Sequence, residues 1–251
     1  HCRVDLHRLI ESLCVKREDG NRSLAITHKG VGPLHSLIWA KEAMFRNIYL
    51  PHPNRIATMM FLRAVQDALE CEAITPQDLV ATHDWSVIDL LKNRTGKSSS
   101  TWRLIDRIEN RRLYKRAIEI AYNQQTASLY TTVGHLQSFQ SQRKKVEVEL
   151  CTSMAKRLGT ELPDHAILID IPRQEGFGVD IEVYYASPPQ GVPQYVQWRD
   201  AAGLTSEELE RKQVRARLIR LIARDEELAG KMAEEPHRSH VMEILSRCGS
   251  L

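Results

Sequence analysis

The sequence predicts a mainly α-helical fold with a small α+β portion, and three observations lead there. Long windows carry apolar residues at three- and four-residue steps, the period of one buried helical face, over 34–48, 56–64 and 136–154. Strand signals are short and few: one pair of segments around the turn Glu18-Asp19-Gly20-Asn21, and a second pair around RQEGFG. With 251 residues, 42% of them hydrophobic, the chain can bury a sizeable core as one large domain or two small ones.

Taken in order, Asp5 caps a short helix over LHRLIESL, and strands near 14–16 and 23–27 form a β-hairpin. A long helix covers 33–49 until Pro51 and Pro53 stop it, because the residue before a proline is pushed out of the α region. Asn54 caps a second long helix to residue 71, Thr75-Pro76 opens a short helix, and Asp84 caps another over 85–92. The loop RTGKSSST precedes a helix over 102–110, and RRLYKRAIEIAY reads as a strand or a short helix. Residues 124–134 are polar and read as a boundary; an amphipathic helix over 136–158 then ends at Gly159. Strands follow at 166–171 and 179–185, then the proline-rich loop SPPQGVP. Thr205 with Glu208 forms a capping box for a helix to residue 228, and 237–247 is a last short helix. The expected division is therefore 1–122, a helical domain with the hairpin packed on its long helices; 123–204, a small α+β subdomain; and 205–251, C-terminal helices.

A net charge of +3 and a pI near 8.6 give no push towards nucleic acid. The five cysteines are scattered without a CxxC pair, which excludes a zinc knuckle or disulfide framework and fits a reducing cytoplasm. No apolar run approaches the roughly 20 residues that span a bilayer, and no signal peptide is visible. The chain opens on His1 and is soon in a helix, which reads as a fragment lacking its N-terminal portion.

The stretch 29–65 organises the rest. Its first helix carries Leu34, Leu37, Ile38, Met44, Phe45 and Ile48 as an apolar stripe, with Lys41 in the middle of it. A lysine there either snorkels past its neighbours or enters a polar pocket. Phe45 and Tyr49 follow Lys41 at four-residue steps along one helix edge. A cation followed by two aromatics suits a ligand with an anionic end and a flat end, as a nucleotide has.

The residues VDLHRLIESLCV at 4–15, HKGVG at 28–32, the AK…MF…YL run over 40–50 and RRLYKRA at 111–117 carry a family resemblance. From residue 4 to about 122 the chain resembles the C-terminal part of the HD-superfamily deoxynucleoside triphosphate (dNTP) triphosphohydrolases, a family that includes bacterial homologues and the vertebrate enzyme with a sterile-alpha-motif domain. The resemblance implies a parent that cleaves a dNTP into the deoxynucleoside and tripolyphosphate. It implies a divalent metal there (Mn, Mg, Fe or Zn), held by a His…His-Asp…Asp set before His1, with none bound by this chain. Lys41 stands where the family has an arginine on the substrate phosphates, keeping the charge and losing the planar fork. Tyr49 stands where a tyrosine packs on sugar or base. Asp5, Arg8 and Lys29 match positions facing an effector nucleotide, while Thr27 replaces a further effector-site arginine. A homo-oligomer and a cytoplasmic location are implied as well, with no membrane partner. The other reading is a catalytically silent nucleotide-sensing or nucleic-acid-binding module.

The remaining motifs point elsewhere. His83-Asp84 is the one His-Asp pair, but Asp84 reads better as a helix cap. GKS at 96–98 lacks the glycine a phosphate-binding loop needs five residues earlier, where Leu91 stands. His28, His35 and His52 surround the organising helix and read as surface or capping residues. Glu147/Glu149 and Glu207/Glu208 read as solvated charges. The basic run Arg211, Lys212, Arg215, Arg217, Arg220, Arg224 offers the nucleic-acid alternative. Acidic neighbours dilute it and no aromatic is placed for stacking, which favours a solvated helix face.

Overall fold

A computed structural model describes residues 4–18, 20–121, 127–172, 179–205 and 218–247. Contacts divide the chain into two units: His1–Tyr49 with Gln174–Ala216, and Leu50–Arg173 with Arg217–Leu251. The boundaries expected after residues 122 and 204 differ from these, because strands remote in sequence pair with one another and interleave the units.

The smaller unit begins with α1 (Leu6–Glu11), capped by the Asp5 carboxylate, which accepts from the Arg8 backbone N–H at 3.0 Å. The expected hairpin follows as β1 (Leu13–Glu18) and β2 (Asn21–Thr27), its turn passing through Gly20 at φ +81°. β2 then pairs in parallel with β5 (Glu182–Tyr184), and β5 pairs antiparallel with β6 (Tyr195–Gln197), giving the order β1-β2-β5-β6. β6 has no counterpart in the sequence reading; it runs straight into α9 (Trp198–Ala201). Leu9, Ile26, Leu34, Ile181, Val183 and Trp198 form the core. Gly30, in a 3-10 turn over His28–Gly30, lies so close to α1 that a Cβ on it would stand 2.1 Å from Ser12 Oγ and 2.8 Å from Ser12 Cβ.

The organising helix is α2 (Val31–Met44), prolonged by a π-helical turn over Phe45–Tyr49. Of its apolar stripe only Leu34 is buried; Leu37, Met44 and Ile48 are exposed. A 14-residue helix is about 21 Å long. The three-residue strands β5 and β6 reach only about 10 Å.

The larger unit is built on β3-β7-β4, an antiparallel sheet of Lys115–Ala121, Leu218–Ala223 and Ile167–Asp170. Both faces are covered. Ile167, Ile169, Ile219 and Leu221 enter one apolar cluster with α7 (Ala127–Ser138), α8 (Gln140–Leu158), α10 (Glu226–Ala233) and α11 (His237–Arg247). Leu168 and Ile222, pointing the other way, join α3 (His52–Glu70), α5 (Val87–Arg94) and α6 (Ser100–Glu109). α4 (Pro76–Val80) carries the expected start, a full capping box between Thr75 and Asp78.

Several expectations are corrected. The helix expected from Thr205 to residue 228 meets β7 instead: LIRLIA is a central strand with residues 219–223 buried on both faces, and apolar residues at adjacent positions on either side of Arg220 hide the alternation of two. Residues 206–217 lie outside the described ones. The helix expected over 136–158 is two, α7 and α8, separated where Phe139 adopts an extended backbone (φ −118°, ψ 98°), and α7 occupies most of the expected boundary. Gly159 ends α8 at φ +64°, as read. α3 starts at His52 rather than after Asn54, and α5 starts at Val87 behind Ser86, so Asp84 is not its cap. Among the described residues no helix is long and apolar enough to cross a membrane.

Candidate functional site

In the smaller unit the Lys41–Phe45–Tyr49 series forms a column. Lys41 Nζ lies 5.7 Å from the Phe45 ring centroid, within cation–π range, and the Phe45 and Tyr49 rings are 5.2 Å apart. The π turn bears on this: with hydrogen bonds to the fifth residue its turn is wider than an α-helical one, so side chains four apart stay nearly in line. The column is at the surface, with Tyr49 51% exposed and Lys41 exposed too. Lys41 therefore does not lie on a core-facing side, and the buried charge of α2 is its neighbour Glu42. Exposed Leu37, Met44 and Ile48 share the face and rim the lysine with apolar surface.

The three effector candidates are exposed on neighbouring elements: Asp5 and Arg8 at the start of α1, Lys29 in the 3-10 turn that packs on α1 through Gly30. Asp5 already holds the helix N-terminus, so its carboxylate has a structural duty. His35 accepts from the Trp39 indole at 2.6 Å and sits 6.0 Å from the Trp198 ring, while His28 lies 4.8 Å from the Tyr185 ring. Both are packing residues.

The larger unit holds two ionic networks that sequence reasoning missed. Arg63, buried, donates to Asp67 (2.8 Å) and Glu147 (2.7 Å), and Glu147 also accepts from the Ile169 backbone N–H at 2.8 Å. Lys144 bridges Asp67 and Glu70, and the Ser100 hydroxyl donates to Asp67. Burial alone would raise the Asp67 carboxyl, but the Lys144 and Ser100 hydrogen bonds and the Arg63 charge hold it below its ordinary value. Burial pushes Glu147 above its ordinary value against the pull of Arg63. Glu147 is thus no solvated charge. Its signal was its partner: Arg143 lies on the apolar stripe of α8 four residues earlier and is buried with it.

In the second network Asp170, fully buried, accepts from Arg55 and from Arg220 (3.4 Å). Arg220 also donates to Glu119 (3.1 Å), which Arg116 reaches at 3.3 Å. Arg220 faces Asp170 and Glu119 in strand register, so it belongs to a sheet rather than a solvated helix. His52 Nε2 accepts from Arg116 at 2.6 Å; burial and the Arg116 charge push its imidazole below the ordinary value. Three guanidiniums against two carboxylates leave one positive charge in excess.

His83 and Asp84 are exposed, and among the described residues no three His, Cys, Asp or Glu side chains could hold a metal ion. These residues do not fit the metal the resemblance implies. Cys151 is buried and its thiol is pushed up to about 12, far from a thiolate nucleophile.

A sequence model of the family described as HD associated region matches residues 4–181. The chain belongs to that family. This HD-associated region is 29% identical over 119 residues to an uncharacterized protein of Methanocaldococcus jannaschii, covering 47% of the chain and 25% of that protein. Its fold is similar to that of a phosphohydrolase from Bacteroides thetaiotaomicron, with a TM-score of 0.52 and 16% identity over 90% of this chain and 56% of that one. It thus spans about a quarter of the curated relative and about half of the solved one. The expected class, mainly helical with a small β portion, is the one observed, and the fold resembles that phosphohydrolase structure. The HD-associated region aligns Lys41, Phe45 and Tyr49 along one helix edge, and among the described residues His83-Asp84 joins no group that could hold a metal ion.

Proposed function

We propose that the protein to which this region belongs is a metal-dependent HD-type phosphohydrolase that converts dNTPs to deoxynucleosides and tripolyphosphate. The observation that supports this reading best is the exposed Lys41–Phe45–Tyr49 column. A phosphate oxygen accepts hydrogen bonds from the Lys41 ammonium, whose charge is held beside the rings, while the sugar or base lies on Tyr49. In this reading Lys41 and Tyr49 bind substrate, and Asp5, Arg8 and Lys29 present an exposed mixed-charge surface to an effector nucleotide. The divalent metal (Mn, Mg, Fe or Zn) polarises phosphoryl oxygen or activates water when bound, and it is held by residues outside this chain. The region also contributes to a homo-oligomer.

The test is tripolyphosphate release from each dNTP by the full-length protein with manganese or magnesium. Release is expected from the full-length protein and not from the 251-residue chain. Full-length protein that binds dNTPs without releasing tripolyphosphate would favour a nucleotide sensor instead. Light scattering with and without dNTP checks the assembly.

A further inference from the structure

Within the larger unit lies an open groove of about 840 Å³ that neither ionic network uses. Its wall is formed by α6, the last two turns of α8, the loop after Gly159 and the residue following β7. Three cations line it: Arg103, Lys156 and Arg224, against one carboxylate, Glu161. Arg103 and Lys156 are exposed, and their side chains make no hydrogen bond or ion pair with another described residue.

Arg224 is held in place. Its backbone N–H donates to Ala166 O (2.8 Å), and its carbonyl accepts from Arg107 (2.6 Å). Its Nε donates to Asp225 (2.9 Å), whose other oxygen caps α10 through the Leu228 N–H (2.9 Å). Fixed in this way, the guanidinium keeps its terminal nitrogens without a bond to any described residue. A pre-oriented fork of this kind matches two oxygens of one phosphate, and the size falls within the range of about 300–1,000 Å³ usual for small-molecule sites.

We infer that this groove binds a small phosphorylated molecule, with its phosphate on Arg224 and Arg103 and Lys156 closing over it. Thr152 and Thr160 offer hydroxyls along the same wall. The site is separate from Lys41 and does not depend on dNTP hydrolysis.

The test is calorimetric titration of the protein with inorganic diphosphate at low salt. Saturable binding with a Kd of about 1 mM or tighter is expected. Changing Arg103→Gln together with Lys156→Gln should weaken it about tenfold or more, the loss for charge-assisted hydrogen bonds. Lys97→Gln with Lys145→Gln, at exposed positions elsewhere, should leave it unchanged. All the altered residues are exposed, so an unchanged denaturation midpoint confirms folding. Absence of saturable binding overturns the inference. So does equal weakening by the Lys97/Lys145 pair.

Discussion

In the larger unit Arg63, Asp67, Glu147 and Asp170 are buried between two apolar clusters, whereas in the smaller unit Leu37, Met44 and Ile48 stand in solvent around Lys41 and Tyr49. The first arrangement is costly: each buried charge loses hydration, and only complete pairing offsets that. Its charges serve the fold, since they tie α3 to α8 and to β4. The second arrangement has no use in a core of six side chains, and a contiguous exposed apolar face marks a surface that meets something. Buried charge thus holds elements of the larger unit together, while the smaller unit leaves apolar side chains of its organising helix at the surface.

The sharpest way to break this contrast is Arg63→Ala. Removing one partner strands Glu147 and half-strands Asp67, which should cost about 3–5 kcal/mol. The denaturant midpoint reads it, and a loss close to that of an ordinary surface substitution would mean that the network holds nothing together. Gly30→Ala should come next, at about 1–3 kcal/mol, because the added methyl collides with Ser12. Amide exchange should quicken in α1 and β2 and stay unchanged in β7.

How far these contrasts were legible in the sequence depends on the type of signal. Asp5, the hairpin turn, Thr75-Pro76 and Gly159 act locally, and the structure keeps each where it was read. LIRLIA was lost to a helix because a strand buried on both faces has no alternation to show, and Arg220 completed the disguise. The Lys41 column was visible in its four-residue steps, but its exposure was not: periodicity finds a stripe and is silent on whether anything covers it. Arg63–Glu147 joins residues 84 apart, a pairing that no local pattern reveals.

A smaller effect sharpens the comparison through pH. Burial holds the His165 imidazole below its ordinary value, and His52 is lowered in the same sense. The unfolded chain therefore takes up these protons first, and stability should begin to fall as pH drops below about 6.5. Asp67, Glu119 and Asp225 are also held low, so their share of stability persists above the ordinary carboxylate range and is lost below about pH 4. All five lie in the larger unit. Midpoints followed from about pH 8 to about pH 3 should show both steps in probes on β7 and α8.

The smallest stability effect belongs to a residue of the proposed substrate site. Lys41→Ala removes an exposed side chain and should shift stability by no more than about 0.5 kcal/mol. For the proposed dNTP hydrolysis by the full-length protein, the same change should cost about 1.5–3 kcal/mol in kcat/KM, the worth of a charge–phosphate hydrogen bond. Lys41→Arg should retain activity. The direct measurement is kcat/KM for the parent, Lys41→Ala and Lys41→Arg enzymes at matched denaturation midpoints. A selective loss with alanine, restored by arginine, is the expected result; an alanine variant as stable and as active as the parent would remove Lys41 from the site.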